Sequence, residues 1–314
     1  MRCVTLVSVM LINCGRAVAR PYDKQNSSMI AILVVNWNTR DLLRACLLSL
    51  RDNLRDVKHQ IVVVDNASHD SSSQMVRDEF PTVHLIENIK NEGYARGNNQ
   101  AFEYSMRWNP QWIWLLNSDV KIDENSLPQL LDFAAKHPQS GAFASALIDA
   151  RGGFIQRSCR TFPTPRALWT EASGLQKIFR RSRYFGFYRY GDWNMKTARE
   201  IEQPMTSSLL LSREAIEDIG GLFDEQFPIF FNDVDLCFRL KQRDWKIVFC
   251  PTSRVKHWGG ASTNQNKPAM IQESHRAMEA FYVKHWKFEY SKLVYHATIA
   301  LIRASGKFRV WRTR

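Results

Sequence analysis

Residues 30–38 read IAILVVNWN, an unbroken apolar run that ends in two asparagines and a tryptophan. Six consecutive apolar residues without alternation are typical of a strand buried on both faces of a parallel sheet. After Thr39, the apolar residues of RDLLRACLLSLRDNL recur at helical spacing, which predicts a helix that packs on one face of the sheet. This stretch therefore predicts the first β-α unit of an α/β domain.

Similar units follow along the chain. Strands are predicted at residues 60–65, 82–87, 112–116, 207–212 and 246–250, and helices at about 72–80, 94–107, 213–221 and 233–243. The last strand is expected to stop at Pro251, because proline has no backbone N–H for a ladder. Strands that alternate with helices at this spacing predict an α/β fold with a Rossmann-like, doubly wound, mostly parallel sheet.

The composition excludes several classes of protein. The 314 residues are 45% hydrophobic and 24% charged, which is ordinary for a folded domain and argues against wholesale disorder. Six cysteines without a CxxC pair indicate reduced, mostly buried thiols of a cytosolic protein rather than a disulfide framework or a zinc site. Neither GxGxxG after the first strand nor GxxxxGK[ST] occurs, so hydride transfer and ATP hydrolysis have little support.

The net charge of +12 is concentrated in two segments. Residues 151–203 hold 11 basic and four acidic residues, and residues 267–314 hold 10 basic and three acidic ones. We interpret the first as an irregular, lid-like insert in a domain of residues 29–266, and the second as a basic, aromatic helical tail. Basic residues interleaved with aromatic ones fit an anionic membrane surface or nucleic acid. The alternative is a tail helix that packs on the domain with its charges in solvent.

Residues 1–28 form an N-terminal extension with three open interpretations. A charged, an apolar and a small-residue region occur in the order of a secretory signal. A short membrane anchor, or an extension upstream of a true start at Met29, would also explain the pattern. No later stretch reaches about 18 apolar residues without charges, so no membrane-spanning helix is expected there.

Polar residues follow three of the predicted strands at their carboxyl ends. They are Asn36-Trp37-Asn38, Asp65-Asn66 and Asn117-Ser118-Asp119. Each group alone fits a turn or a helix cap. Ligands of an open parallel sheet bind beyond the carboxyl ends of its strands, so three such groups predict a binding site at this edge. The Asn- and Gly-rich residues 91–99 suit close approach of a ligand to the backbone.

Three residues, Asp119, His257 and Asp233, suggest specific chemistry. Asp119 suits Mg²⁺, which takes one or two protein carboxylates when the substrate supplies phosphate oxygens. His257 could add an imidazole ligand, which favours Mn²⁺, or it is a hydrogen-bonded structural residue. Asn232 and Asp235 fit an N-cap pattern. Asp233 either compensates the helix dipole or acts as a general base.

Five blocks of sequence occur in a fixed order over residues 30–263. They read VVNWNTRDLLRACLLSL, VVVDNASHDSS, NEGYARGNNQA, LLNSDV and GGLFDEQFPIFFNDVDLCFRLKQRDWKIVFCPTSRVKHWGGAS. As a set they resemble the signature blocks of glycosyltransferase family 2, and most of all its rhamnosyltransferase-like branch in bacterial polysaccharide assembly. The resemblance implies a GT-A fold and a nucleoside-diphosphate-sugar donor of the dTDP-rhamnose or UDP-sugar type. It also implies inversion at the anomeric carbon by single displacement.

The resemblance also implies roles for individual residues. Asp233 would be the general base, Asp119 would bind the metal and the diphosphate, and His257 would complete the metal site with Mg²⁺ or Mn²⁺. Trp37 would stack on the pyrimidine. The implied nucleotide-sugar-binding residues are Asn36, Trp37, Asp65, Asn66, Asn91, Gly93, Asn98, Asn117 and Asp119.

Two positions depart from the family pattern. Asn117 replaces the first carboxylate of an Asp-x-Asp-type motif, which is expected to make metal affinity modest. Asn232 replaces the Glu that usually precedes the base. With one like charge fewer nearby, the pKa of Asp233 is expected to fall.

The implied acceptor is a glycan or a polyprenyl-diphosphate-linked oligosaccharide in cell-surface polysaccharide synthesis. The basic segments would then attach the enzyme peripherally to the inner face of the cytoplasmic membrane. No nucleic-acid partner is expected. Three alternatives remain open: a sugar nucleotidyltransferase, a catalytically degenerate sugar-nucleotide binder, and a basic nucleic-acid-binding protein. The first should carry a Gly-rich phosphate loop with Arg and Lys after the first strand, and NWNTRD has no glycine.

Overall fold

The computed structural model describes residues 28–260 and 267–312, and the predictions made for residues 1–27 lie outside this part. The strands are β1 (Ile30–Asn36), β2 (His59–Asp65), β3 (His84–Glu87), β4 (Trp112–Asn117), β5 (Val120–Ile122), β6 (Ser140–Asp149), β7 (Cys159–Arg160), β8 (Arg199–Ile201), β9 (Gln203–Pro204), β10 (Ser208–Ser212) and β11 (Lys246–His257). The helices are α1 (Arg40–Asn53), α2 (Ser72–Glu79), α3 (Tyr94–Ser105), α4 (Ser126–Lys136), α5 (Pro165–Ala172), α6 (Leu175–Ile178), α7 (Arg213–Asp218), α8 (Asn232–Gln242), α9 (Lys267–His285) and α10 (Lys292–Trp311).

Most of the strands form one mixed sheet in the order β3-β2-β1-β4-β10-β6-β11-β5, with β8 also paired to β11. The first four strands of this order are parallel, as the sequence predicts. β10 runs antiparallel to both β4 and β6, and β11 is parallel to β6 but antiparallel to β5 and β8. The sheet therefore joins a parallel half, which carries the predicted edge residues, to a mixed half.

Both faces of the sheet are covered, which explains the unbroken apolar run of β1. Ala31, Leu33 and Val35 belong to one apolar core, which also contains side chains of α3, α8 and α9. The alternate β1 residues belong to a second core together with side chains of α1, α2 and α4. All seven residues of β1 are buried, as expected for a central strand with helices on both sides.

The predicted end of the last strand at Pro251 is wrong. β11 continues to His257 and slips its register against β6 between Cys250 and Arg254. Pro251 lies inside this irregularity, where the ladder is interrupted and a missing N–H costs little. As a result, β11 reaches far enough to carry His257 to the functional edge of the sheet.

The predicted C-terminal helices are present as α9 and α10, and both pack on the domain. Tyr282 of α9 is fully buried, and its hydroxyl donates to the Pro163 carbonyl at 2.5 Å. Gly306 allows α10 to approach α9 closely, because a Cβ there would lie 2.9 Å from His275 Cγ. Residues 151–203 are largely irregular, with only short helices and strands. Cys46, Cys159, Cys237 and Cys250 are buried free thiols, as predicted.

A buried ion network joins α8 to α9 around Asp235, which is fully buried. Its carboxylate accepts hydrogen bonds from Arg239 Nε at 2.8 Å, Lys284 Nζ at 2.6 Å and His285 Nε2 at 2.7 Å. The prediction that Asp235 completes an N-cap is therefore wrong. Its partners on α9 lie about 50 positions away in the sequence, so no local pattern could indicate them.

Asp235 is expected to contribute strongly to stability. Although burial opposes ionisation, hydrogen bonds and the charges of its partners lower the pKa of Asp235 to about 2. Since this pKa lies below the unfolded value, the stabilisation is present above about pH 4 and is lost as the pH falls through about 2. Asp235→Ala should cost about 3–5 kcal/mol, because it removes the buried carboxylate that Arg239, Lys284 and His285 share. Thermal unfolding should show a lower Tm, whereas Asp224→Asn, at a partly exposed contact of Lys284, should change it little.

Candidate active site

Hydrogen bonds join the ends of β1 and β2 into one polar cluster. Asn36 Nδ2 donates to Asp65 Oδ1 at 2.8 Å and to Ser68 Oγ at 3.1 Å. Asp65 Oδ2 accepts from the backbone N–H of Ser68 at 2.9 Å. Because β1 and β2 are in register, Asn36 and Asp65 are direct neighbours. Asn36 is fully buried, so it orients the Asp65 carboxylate from below the edge.

The same cluster extends to the end of β4. Thr39 Oγ1 donates to Asn36 Oδ1 at 2.6 Å and lies 2.8 Å from Ser118 Oγ. Asn117 Nδ2 donates to Ser207 Oγ at 3.0 Å, just before β10. The three polar groups predicted at one edge are therefore together, and hydroxyl groups connect them.

The loops after β1 and β2 hold Trp37 at this edge. Asn38 has a positive φ of 52°, and its backbone N–H donates to Ser68 Oγ at 2.9 Å. Its side-chain Oδ1 accepts from the backbone N–H of His69 at 2.8 Å. Trp37, between Asn36 and Asn38, is half-buried.

The predicted glycine-rich loop closes against the same cluster. Gly93 has a φ of 89°, and a Cβ at this position would lie 2.8 Å from the Pro228 carbonyl oxygen, so glycine is required. Its N–H donates to Asn91 Oδ1 at 2.9 Å, and its carbonyl accepts from Asn66 Nδ2 at 3.0 Å. Asn98 is buried and donates to the backbone one turn earlier in α3.

Asp119 and His257 meet where the turn after β4 approaches the end of β11. Antiparallel pairing of β5 with β11 places His257 opposite Val120. His257 Nε2 lies 3.5 Å from Asp119 Oδ1, and both side chains are almost fully buried. The N–H of Trp258 also donates to the Asp119 carbonyl at 3.1 Å. The two residues that the sequence resemblance implies as metal ligands are therefore neighbours in space.

Gln156 fixes the orientation of the His257 ring. Its Nε2 donates to Asp149 Oδ2 at 3.2 Å and to the His257 carbonyl at 3.0 Å, which determines how the amide is turned. Gln156 Oε1 then lies 2.8 Å from His257 Nδ1, and because a carbonyl oxygen only accepts, Nδ1 carries the hydrogen. In the neutral ring, Nε2 therefore presents its lone pair towards the Asp119 carboxylate.

This arrangement fits a hard divalent cation. Two electron-pair donors, a carboxylate and an imidazole, face one another with the imidazole held by an outer hydrogen bond, as is common for metal-binding histidines. Within the described part of the chain, no group of three or more His, Cys, Asp or Glu side chains could hold a metal. Asp119 and His257 would supply part of a coordination shell, and substrate oxygens and water would supply the rest.

Asp233 lies in the first turn of α8, half-buried and facing β9. Burial raises the pKa of the Asp233 carboxyl, although the Val234 N–H, the charge of Arg160 and the Gln203 amide oppose this effect. The distances are 2.9 Å from Val234 N to Oδ1 and 3.2 Å from Gln203 Nε2 to Oδ2. The expected fall in pKa is therefore wrong, because loss of water outweighs the absence of one like charge.

The sequence suggests that Asn232 caps α8, but in the structure it does not. It is the first residue of the helix, and its side chain donates to the carbonyls of Phe227 at 3.3 Å and Ile229 at 2.9 Å. Phe231 before it has a positive φ of 66°, which is uncommon for a bulky residue. The backbone strain lies two residues before Asp233, and such strain is often concentrated at functional sites.

The phenol of Tyr94, at the start of α3, experiences the charges of both Asp119 and Asp233. Its hydroxyl donates to Thr206 Oγ1 at 3.4 Å. Burial, with smaller contributions from the charges of Asp233 and Asp119, raises the pKa of Tyr94 to about 12 against the opposing hydrogen bond to Thr206. Both carboxylates therefore lie within electrostatic range of one phenol. Tyr94, Gln156 and Gln203 could not be identified from the sequence, and the two glutamines lie in irregular sequence with no periodic signal.

Comparison with known protein families agrees with this architecture. The family model described as glycosyl transferase family 2 matches residues 31–201, just over half of the chain. The match includes the β1, β2 and β4 edge residues and Asp119. Asp233 and His257 lie beyond its end.

Two curated relatives match most of the chain. An N-acetylglucosaminyl-diphospho-decaprenol L-rhamnosyltransferase of Mycobacterium tuberculosis is 26% identical over 243 residues, covering 70% of this chain and 73% of the relative. The low-salt glycan biosynthesis hexosyltransferase Agl10 of Haloferax volcanii is 22% identical over 229 residues, covering 73% of this chain and 66% of the relative.

A solved structure shares the fold. The mannosyltransferase PcManGT from Pyrobaculum calidifontis, solved with GDP-Man and Mn²⁺, superimposes with a TM-score of 0.55 at 16% identity. The match covers 87% of this chain and 69% of that one, and confirms the predicted GT-A fold. From the matching family model, the relatives and the shared fold, this chain belongs to glycosyl transferase family 2 and is a rhamnosyltransferase-like glycosyltransferase of glycan synthesis.

Proposed function

We propose that this glycosyltransferase moves a sugar from a nucleoside-diphosphate donor, of the dTDP-rhamnose or UDP-sugar type, to a lipid-linked glycan acceptor with inversion. The observation that carries the proposal is the contact of Asp119 with His257, 3.5 Å apart and almost fully buried at the carboxyl edge of the sheet. Asp119 lies just after β4, at the place where the diphosphate would bind. Asp233 stands apart on α8, where it can accept a proton from a second substrate.

In this proposal the polar cluster binds the nucleoside. Trp37 would stack on the base, while Asp65, supported by Asn36, would accept hydrogen bonds from base or ribose. Asn66, Asn91 and Asn98 would support the loop around Gly93, where the backbone can come close to the ligand. Asn117 would border the diphosphate beside Asp119. Asn36, Asp65, Asn66 and Asn98 are all almost fully buried, which keeps their side chains in fixed positions at this edge.

Asp119 and His257 would hold Mg²⁺ or Mn²⁺ together with the diphosphate. The cation, when bound, would offset negative charge that develops on the departing nucleoside diphosphate. The fixed ring of His257 supports this role, and the related PcManGT structure contains Mn²⁺ with its nucleotide sugar.

Asp233 would act as the general base. Its carboxylate would take the proton from the acceptor hydroxyl as that oxygen attacks the anomeric carbon on the face opposite the diphosphate. Gln203 would hold the carboxylate in position through its 3.2 Å hydrogen bond. A single displacement in this arrangement inverts the anomeric configuration.

The acceptor class comes from similarity. The Mycobacterium tuberculosis relative is named for transfer to N-acetylglucosaminyl-diphospho-decaprenol, so we propose a polyprenyl-diphosphate-linked sugar here as well. The outward face of α10 could attach the enzyme to the membrane that contains such a lipid. Leu293, Phe308 and Trp311 are 81%, 56% and 69% exposed, opposite the buried face of this helix. Four basic and no acidic residues accompany them in α10. Among the described helices, none has the length and apolarity to span a bilayer.

We therefore expect α10 to bind anionic membranes in the plane of the headgroups. Phe308→Ala with Trp311→Ala should weaken sedimentation with phosphatidylglycerol vesicles at least about tenfold, because both rings lose their burial in lipid. Phe154→Ala removes an equally exposed ring from a loop outside α10 and should have no effect. Equal binding to neutral phosphatidylcholine vesicles, or unchanged binding by the double variant, would contradict the proposal that α10 binds anionic membranes.

The donor assignment is tested by titrating protein from Met29 onward with UDP-, dTDP- and GDP-sugars, with and without Mn²⁺ or Mg²⁺. One donor class should bind only in the presence of metal. Donor binding without transfer to any acceptor would indicate the degenerate binder. Absence of sugar-nucleotide binding, with strongly salt-dependent binding of RNA or DNA, would indicate a nucleic-acid-binding protein instead.

A further inference from the structure

The acceptor side of the site contains a cation, Arg160, that has no carboxylate partner among the residues that the structure describes. It is exposed at the end of β7, and antiparallel pairing of β7 with β9 places it directly opposite Gln203. Residues directly opposite in such a pair project from the same face. Gln203 in turn donates to Asp233 Oδ2 at 3.2 Å, so Arg160 projects on the face that carries the candidate base.

Two arginines of the same segment, Arg189 and Arg199, are paired with carboxylates, whereas Arg160 is not. Arg189 pairs with Glu171 at 2.6 Å, and Arg199 pairs with Asp192 at 3.4 Å. Among the described residues, no carboxylate lies within 4.0 Å of the Arg160 guanidinium, which instead approaches the Tyr188 ring at 5.9 Å. Its charge reaches Asp233, where it lowers the pKa of the carboxyl.

A permanent cation near a general base lowers the pKa of that base and so makes it a weaker proton acceptor. We therefore expect Arg160 to have a function that outweighs this loss. An anion brought by the acceptor would provide one. In a diphosphate-linked sugar, the diphosphate is attached to the anomeric carbon of the same ring that carries the reacting hydroxyl. A cation on the face that carries the base is therefore within about one sugar ring of that diphosphate.

We propose that Arg160 binds the diphosphate of the acceptor and so selects lipid-diphosphate-linked sugars over neutral glycans. This inference rests on the proposed transfer reaction and adds the acceptor determinant to it. The guanidinium suits the task because its donors form a planar fork that matches phosphate oxygens. Bound diphosphate would also neutralise Arg160, and Asp233 would become a stronger base when the correct acceptor is present.

The test compares two acceptors that carry the same sugar, one on a polyprenyl diphosphate and one on a neutral alkyl chain. Arg160→Gln should raise KM for the diphosphate acceptor about 10–100-fold, the loss expected for charge-assisted hydrogen bonds. KM for the neutral acceptor and for the donor should stay unchanged. Arg157→Gln is the matched control, since Arg157 is also exposed but its contact is the Tyr190 carbonyl at 3.4 Å.

A second readout separates binding from a general structural effect. With the neutral acceptor, the acidic limb of the kcat/KM profile should move to higher pH in Arg160→Gln, because a cation that lowers the pKa of Asp233 is gone. An equal rise in KM for the diphosphate acceptor and the neutral acceptor would contradict the role of Arg160. A raised donor KM alone would assign the guanidinium to the donor's diphosphate and overturn the proposal. Absence of transfer by the wild-type chain to either acceptor would overturn the proposed function as well.

Discussion

Asp233→Asn is expected to reduce sugar transfer about 10³-fold while leaving donor binding intact, because the amide keeps the shape of the carboxylate but cannot accept the proton. Burial raises the pKa of Asp233, so the wild-type rate should rise with pH along an acidic limb that lies above the ordinary aspartate range near 3.9. Steady-state transfer across pH, together with donor titration, checks both statements.

The same substitution should not destabilise the protein. A carboxyl whose folded pKa is raised stabilises the fold fully only below its unfolded pKa, and this contribution is lost as pH rises through the folded value. At neutral pH, ionised Asp233 therefore costs stability, and asparagine, which carries no charge, should keep or raise the Tm. A large fall in both Tm and donor affinity would show that Asp233 is structural, and would contradict its role as base.

Asp119→Ala is expected to abolish metal-dependent donor binding and to reduce transfer by about 10²–10³-fold or more. The carboxylate would be lost at the point where the diphosphate and cation meet, while His257 would keep its hydrogen bond to Gln156. Asp123→Ala is a suitable control, because Asp123 lies four residues later and bonds the start of α4. It should keep donor binding at a small cost in stability. Metal-dependent donor affinity that is unchanged in Asp119→Ala would exclude Asp119 as a ligand.

The parallel half of the fold and its edge could be predicted because the information is local. β1 and β4 are continuous apolar runs, and each ends in its polar residues without an intervening turn. Parallel register then brings Asn36, Asp65 and Asn117 together without further knowledge. The direction of β10 could not be predicted, because nothing in five buried residues distinguishes a parallel from an antiparallel neighbour.

The contacts that complete the site depend on long-range pairing. His257 reaches Asp119 only because β11 continues past Pro251 and pairs with the three-residue strand β5. The neighbours of Asp233 come from β7 and β9, two-residue strands that leave no periodic pattern. Local rules also misjudged α8, since Asn232 and Asp235 resemble capping residues but bond a preceding loop and a distant helix.

The most direct measurement is transfer of labelled sugar from the donor that binds to N-acetylglucosaminyl-diphospho-polyprenol, with NMR of the product's anomeric centre. We expect a product of inverted configuration, formed only with a divalent cation, and lost in both Asp119→Ala and Asp233→Asn. A product with retained configuration, or equal transfer by Asp233→Asn, would contradict the proposed reaction.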